Sequence, residues 1–214
     1  MLRPPSICGA KNEKGMSGCP HQAGQQVPAS EGPLNPSNAM PADLHKQLPS
    51  PGQSRPLSTE RQTSSIPKQE RGYWEYPSPQ MFYNAMKRKG WRPQEEDVNA
   101  VVAIHNAVNE RAWEEVRLWE QALHPQCEPK LVSIRGLSQA PSPKARLYGL
   151  LGYEAPFDRH DWQVDRCGQQ VRYVIDYYSQ SEGGGAVGGL FLDVRPALDS
   201  PGAAWDRLRK AMKN

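Results

Sequence analysis

His105 is the first residue of this 214-residue chain to invite a chemical reading. At the turn of an α-helix, about 100° per residue, Val101, Val108, Ala112, Val116, Trp119 and Leu123 all fall within about 60° of it. An imidazole in the middle of an apolar stripe is either a hydrogen-bonded core residue or a ligand. Asn109 shares that face, whereas Glu110 points elsewhere and is expected to brace a neighbouring element. The second dense group is Asp158-Arg159-His160-Asp161-Trp162, with Arg166 just beyond; charges so arranged also occur in hairpins that salt bridges merely lock. Four cysteines, Cys8, Cys19, Cys127 and Cys167, show no Cys-x-x-Cys spacing. A zinc site joining His124, Cys127, His160 and Cys167 would require His-x2-Cys followed by His-x6-Cys, which matches no common finger.

The elements that must position these groups follow from local signals. Ser78-Pro79 opens a short helix that the cations Lys87, Arg88 and Lys89 and then Gly90 close. Met81, Phe82 and Ala85 are its core-facing residues. The helix bearing His105 is predicted from about Asp97 to Leu123, with Glu95-Glu96-Asp97 at the positive end of its dipole. A short strand is expected over 130–135, a helix from Ser142-Pro143 to about Leu151, and then a hairpin. In the hairpin His160, Trp162, Val164 and Arg166 lie on one face, and after a turn at Gly168 come Val171, Tyr173, Ile175 and Tyr177. The glycine-rich stretch 182–189 leads into a third strand, not a helix, so it is a connection and not a phosphate cradle. Asp199-Ser200-Pro201 starts a last helix carrying Trp205, Leu208 and Met212 on one side. The predicted fold class is α+β, a small antiparallel sheet of three or four strands packed against about four helices.

Composition divides the chain. Hydrophobic residues make up 37%, and none of the 3 Phe, 6 Trp and 8 Tyr precedes Tyr73. Eleven of the 21 prolines lie in residues 1–72, so this segment reads as a disordered Pro-rich tail and 73–214 as the folded domain. The net charge of +3 belongs to the tail, because residues 73–214 hold 18 basic and 18 acidic side chains. A neutral domain argues against nucleic acid as a partner, and against reading Tyr173, Tyr177 and Phe191 as a base-stacking sheet. No stretch has the apolar length to span a bilayer, and the start carries neither a secretory h-region nor an amphipathic presequence.

The segments Trp74–Gln80, Asn84-Ala85-Met86, Lys89-Gly90-Trp91, Ile104-His105-Asn106 with Asn109-Glu110, Pro156–Trp162, Val171–Asp176 and Asp193–Ser200 closely resemble those of the holocytochrome c synthases, or cytochrome c haem lyases, in the family's order. In the tail the resemblance includes Ser17-Gly18-Cys19-Pro20, Leu34-Asn35-Pro36, Met40-Pro41 and Ser64–Lys68. It implies an enzyme that joins haem to apocytochrome c through thioethers between the haem vinyl groups and the thiols of the partner's Cys-x-x-Cys-His segment. It further implies apocytochrome c1 as an alternative partner, ferrous haem b as the bound substrate, and a place in the mitochondrial intermembrane space, peripheral on the inner membrane.

By the same resemblance, His105 is the axial ligand of the iron, in a slot formed with Val101, Val108, Asn109 and Trp119. Arg159 and Arg166 are candidate partners of the propionates, and His160 is a candidate catalytic group. Cys19, in a single Cys-Pro, is an accessory or transient iron contact. The alternative function is a non-catalytic haem-binding or haem-trafficking module, which keeps His105 but lacks a surface that docks apocytochrome.

Overall fold

The computed structural model describes residues 47–138, 140–179 and 189–213. Cys8, Cys19 and most of the glycine-rich stretch lie outside them. Ten elements follow one another: β1 (Thr63–Pro67), β2 (Tyr73–Glu75), α1 (Pro79–Arg88), α2 (Val98–Leu123), β3 (Lys130–Gly136), α3 (Pro143–Leu150), β4 (Asp158–Arg166), β5 (Gln169–Ser179), β6 (Leu190–Pro196) and α4 (Pro201–Lys213). The fold is α+β as expected. Strands β3-β4-β5-β6 form one antiparallel sheet in sequence order, and β1 and β2 form a separate antiparallel ribbon.

The helix starts at Ser78 and Ser142 are built as the Ser-Pro signals require. Each serine Oγ accepts from the backbone N–H three residues on, and proline occupies the first turn. Asp97 makes no such side-chain bond at the start of α2. Glu95 turns back to accept from the amides of Ser54 and Arg55, so part of the expected dipole cluster clasps an N-terminal segment instead.

The boundary expected at residue 72 falls inside packed structure. Ile66 of β1 is 1% exposed and sits in the main core with Ala112, Trp113 and Val116 of α2 and Leu131, Trp162, Val164, Tyr173 and Ile175 of the sheet. Glu110 does brace this neighbour: it accepts from the Ser65 amide at 3.0 Å and the Tyr76 hydroxyl at 2.8 Å, and also binds the Ser65 hydroxyl. A five-residue strand with two buried positions, Ser64 and Ile66, is invisible to a count of aromatics and prolines.

The buried side of α2 is rotated from the predicted stripe. Val98, Val102, Asn106, Asn109, Ala112, Trp113, Val116, Glu120 and Leu123 are buried, a face centred about 40° from His105 and close to Asn109. His105 is half-buried on its shoulder. In α4 the stripe Trp205, Leu208 and Met212 faces outward, while Ala203 and Asp206 turn inward.

At the far end of α2 the sheet is clamped twice. Arg166 donates from Nε and Nη2 to the two oxygens of Glu120, at 2.6 and 2.8 Å, and from Nη1 to Asp206 at 2.9 Å. The Tyr173 hydroxyl donates to Glu120 at 2.5 Å, and His124 Nε2 lies 3.0 Å from Asp206. Beside this network a Cys127–Cys167 disulfide ties the chain just past α2 to the β4–β5 turn, with the Cα atoms 5.5 Å apart. Cys167 and Gly168 have φ of 49° and 86°, the left-handed pair that a two-residue hairpin turn of this hand demands. The two cysteines of the zinc reading are therefore bonded to each other.

Candidate functional site

His105 sits where α1 meets α2. The Phe82 ring meets it edge-on, with centroids 5.3 Å apart and planes at 64°. Asn109, one turn on and buried, donates from Nδ2 to the His105 carbonyl oxygen at 2.7 Å and lies 3.3 and 3.4 Å from the two ring nitrogens. Burial pushes the His105 pKa below the ordinary 6.5. The charges of His160 and Lys89 push the same way, while Asn106 and Asp158 oppose them. The imidazole is therefore kept neutral near pH 7, the form whose nitrogen lone pair binds a metal.

His160 projects from β4, and its charge acts on His105 across the space between β4 and α2. Its Nε2 lies 3.3 Å from an oxygen of Asp158, two residues earlier on the same face of the strand. Its Nδ1 lies 3.2 Å from the hydroxyl of Tyr177 on β5, with ring centroids 5.1 Å apart. Tyr177 is 4% exposed, and burial, aided by the Asp158 charge, drives its pKa far up, so the phenol keeps its proton. Asp158 is held below the usual aspartate range: its burial penalty is outweighed by the hydrogen bond and charge of His160. A consistent proton assignment has His160 donating from Nε2 to Asp158 and accepting at Nδ1 from Tyr177. Two imidazoles thus differ in setting, one with a carboxamide at its ring nitrogens, the other coupled to an acid and a phenol.

From the predicted set, Asn109 contacts His105 directly, and His160 acts on it through its charge. Val101 and Val108 are half-buried near them, Val108 against the main core. Trp119 is elsewhere: fourteen residues along the helix is about 21 Å, and its indole N–H donates to the Val194 carbonyl at 2.8 Å. Sharing a stripe with His105 did not put it at the same place.

Neither arginine is offered to a ligand. Every nitrogen of Arg166 is bonded to Glu120 or Asp206 in the interior. Arg159 spends Nε and Nη2 on Asp161 and Nη1 on the Ala140 carbonyl. Phe82, Lys89, Asp158 and Tyr177 were absent from the predicted set. Asp158 and Tyr177 were legible as a same-face neighbour and a cross-strand partner, since Asp158 pairs with Tyr177 in the ladder. Phe82 and Lys89 come from another helix, and no spacing within α2 could supply them.

Two clefts of about 510 and 500 Å³ open elsewhere, one between the β4–β5 hairpin and α4 and one beside the last turn of α1. Neither is lined by His105 or His160. Among the described residues no group of three or more His, Cys, Asp or Glu is placed to hold a metal ion.

The sequence profile of the cytochrome c/c1 heme lyase family matches residues 3–127 and 122–211. The chain is 48% identical over 206 residues to the holocytochrome c-type synthase of Gallus gallus, covering 90% of this chain and 72% of that protein. A putative holocytochrome-c1 synthase of Schizosaccharomyces pombe is 49% identical over 161 residues, 71% of this chain and 74% of the relative. The holocytochrome-c synthase of Saccharomyces cerevisiae is 39% identical over 233 aligned positions, with 91% and 86% covered. No solved structure matches the chain.

Proposed function

Because the chain belongs to the cytochrome c/c1 heme lyase family, we propose that it is the enzyme that attaches haem covalently to apocytochrome c, with His105 as its hold on the iron. The observation that carries the site assignment is the half-buried imidazole of α2, kept neutral by its burial and packed edge-on against Phe82. Haem is the substrate, ferrous haem b, and it brings the iron that an imidazole ligates. His105 takes one axial position and the histidine of the partner's Cys-x-x-Cys-His segment takes the other, which sets the two thiols beside the two vinyl groups. Addition breaks an S–H bond, forms a C–S bond and moves the proton to the other vinyl carbon. The protein's main contribution is to hold thiol and vinyl in contact.

His160 is the residue we assign to that proton. Asp158 holds the Nε2–H, and the Nδ1 lone pair, met by the Tyr177 hydroxyl, is the position that takes up the thiol proton and returns it to the vinyl carbon. Cys19 is an accessory iron contact. Family membership favours this reading over a non-catalytic haem carrier. The c and c1 relatives match at near-equal identity, and the c1 protein is kept as a second partner. The enzyme works in the mitochondrial intermembrane space, peripheral on the inner membrane. No helix among the described residues is long and apolar enough to cross a membrane.

The test supplies purified protein with ferrous haem and an apocytochrome peptide containing Cys-x-x-Cys-His. The absorption spectrum is expected to move to a six-coordinate bis-imidazole form, followed by haem that resists acid-acetone extraction. Changing the peptide histidine should block the shift. Changing its cysteines should keep the shift and abolish the covalent product. An unresponsive spectrum with fully extractable haem would instead identify a carrier, and repeating the assay with each apocytochrome separates c from c1.

A further inference from the structure

Haem bound at His105 brings two propionates, and an enzyme that must present the vinyl groups in one orientation gains by fixing the opposite, charged edge of the ring. The arginines of β4 do not serve, since every nitrogen of Arg159 and of Arg166 is already bonded within the protein. Helix α1 packs on His105 through Phe82. Seven residues beyond Phe82, about 20° off the same face and about 10 Å further along the axis, comes Lys89. Its neighbours Lys87 and Arg88 are turned from that face by more than about 100°. Lys89 is the C-cap, at φ −77° and ψ 4°, so the helical register extends to it.

Two further observations converge on this residue, and the shape of haem agrees with them. Lys89 is exposed, and among the described residues it has no carboxylate partner. Its charge acts on both His105 and Asp158. The carboxylates of a porphyrin leave the ring edge on two-carbon arms and stand to one side of the iron on the scale of one to two helical turns, matching the offset from Phe82 to Lys89.

We infer that Lys89 is the propionate anchor of the site: its ammonium, on the Phe82 face of α1, pairs with a haem carboxylate and so sets which edge of the ring faces the partner's thiols. This inference rests on His105 holding the iron. Lysine suits the task as a mobile point charge on a long stem, able to follow a carboxylate that leaves with the product.

The test compares haem with haem dimethyl ester, in which both carboxylates are masked and the ring and iron are unchanged. Each is titrated by its Soret band into the full chain carrying the native residue, Lys89→Ala, Lys89→Glu or Lys89→Arg. Haem is expected to bind about three- to tenfold more weakly to Lys89→Ala, weaker still to Lys89→Glu, and close to normally to Lys89→Arg. The diester should bind all four alike, and salt should weaken haem binding to the native protein more than to Lys89→Ala. Equal haem affinity in native protein and Lys89→Ala would overturn the inference. So would equal losses for haem and diester, the mark of a structural effect. His105→Ala run in parallel separates the two assignments: an unchanged Soret band there removes the iron ligand, whereas the difference between haem and diester continues to report on Lys89 alone.

Discussion

The two ends of α2 handle ionisable groups in opposite ways. Around Glu120 every charge is answered: Arg166, Tyr173, Asp206 and His124 form one buried network, and a disulfide closes beside it. Around His105 the ring nitrogens meet the Asn109 amide at 3.3 and 3.4 Å, Lys89 is in no ion pair among the described residues, and the aromatic Phe157 stays 58% exposed as it leans on Tyr177. A saturated network stabilises and has nothing left to offer; groups left incomplete are those a ligand can complete. Charge density in the sequence is therefore a poor guide to function, because it is as high at the clamp as at the site.

Removing Arg166 should do the most damage. Arg166→Ala leaves the carboxylate of Glu120 buried without its main partner, a loss of about 3–5 kcal/mol, read by urea denaturation. A variant with near-native stability would mean that the network is not what holds α2 to the sheet. Truncation comes next. Deleting residues 1–72 removes Ile66 from the core and two donors from Glu110, and should cost about 2–5 kcal/mol; a melting temperature within a degree or two of the full chain would show that β1 is dispensable.

His105→Ala should be milder for the fold and worse for the chemistry. A half-buried side chain on the shoulder of α2 costs about 1–2 kcal/mol, yet haem binding and thioether formation should disappear. A coloured, active variant would refute the iron assignment. The smallest effect sharpens the comparison by pH. The folded pKa of His105 lies below the 6.5 of an unfolded histidine, so its contribution is fully present above pH 6.5 and is lost as acid protonates the unfolded chain first. In haem-free protein the stability gap between native chain and His105→Ala should shift against the native chain as pH falls from 7 through 6.5 toward the lowered value. A shift in the opposite sense would place His105 beside a carboxylate, not in an apolar setting.

How much of this was legible depends on whether the signal was local. Ser-Pro starts, the hairpin at Gly168 and the length of α2 all follow from contacts within a few residues, and the structure has each of them. The stripe on α2 was read from hydrophobicity alone, so Asn106, Asn109 and Glu120, polar residues buried because they have partners, were left out of its centre. The real face accordingly lies nearer Asn109. Ile66 was lost by averaging over a Pro-rich segment. Arg166 was misread because its partners, Glu120 and Asp206, lie 46 and 40 residues away, and pairing at that range leaves no mark on spacing.

The Cys127–Cys167 bond, 40 residues apart in sequence, encloses α3 and the loop that follows it. Only Ala145 of α3 is buried, and Leu147, Leu150, Leu151 and Tyr153 all stand exposed beside Lys144 and Arg146. Exposed Arg146 offers a protease an accessible place to cut. A cut there would leave the N-terminal fragment, which carries His105, covalently attached to the C-terminal fragment, which carries His160. On a gel the nicked enzyme would run as one species until a thiol reductant was added and as two afterwards, so that the histidine pair outlives the integrity of the backbone between its members.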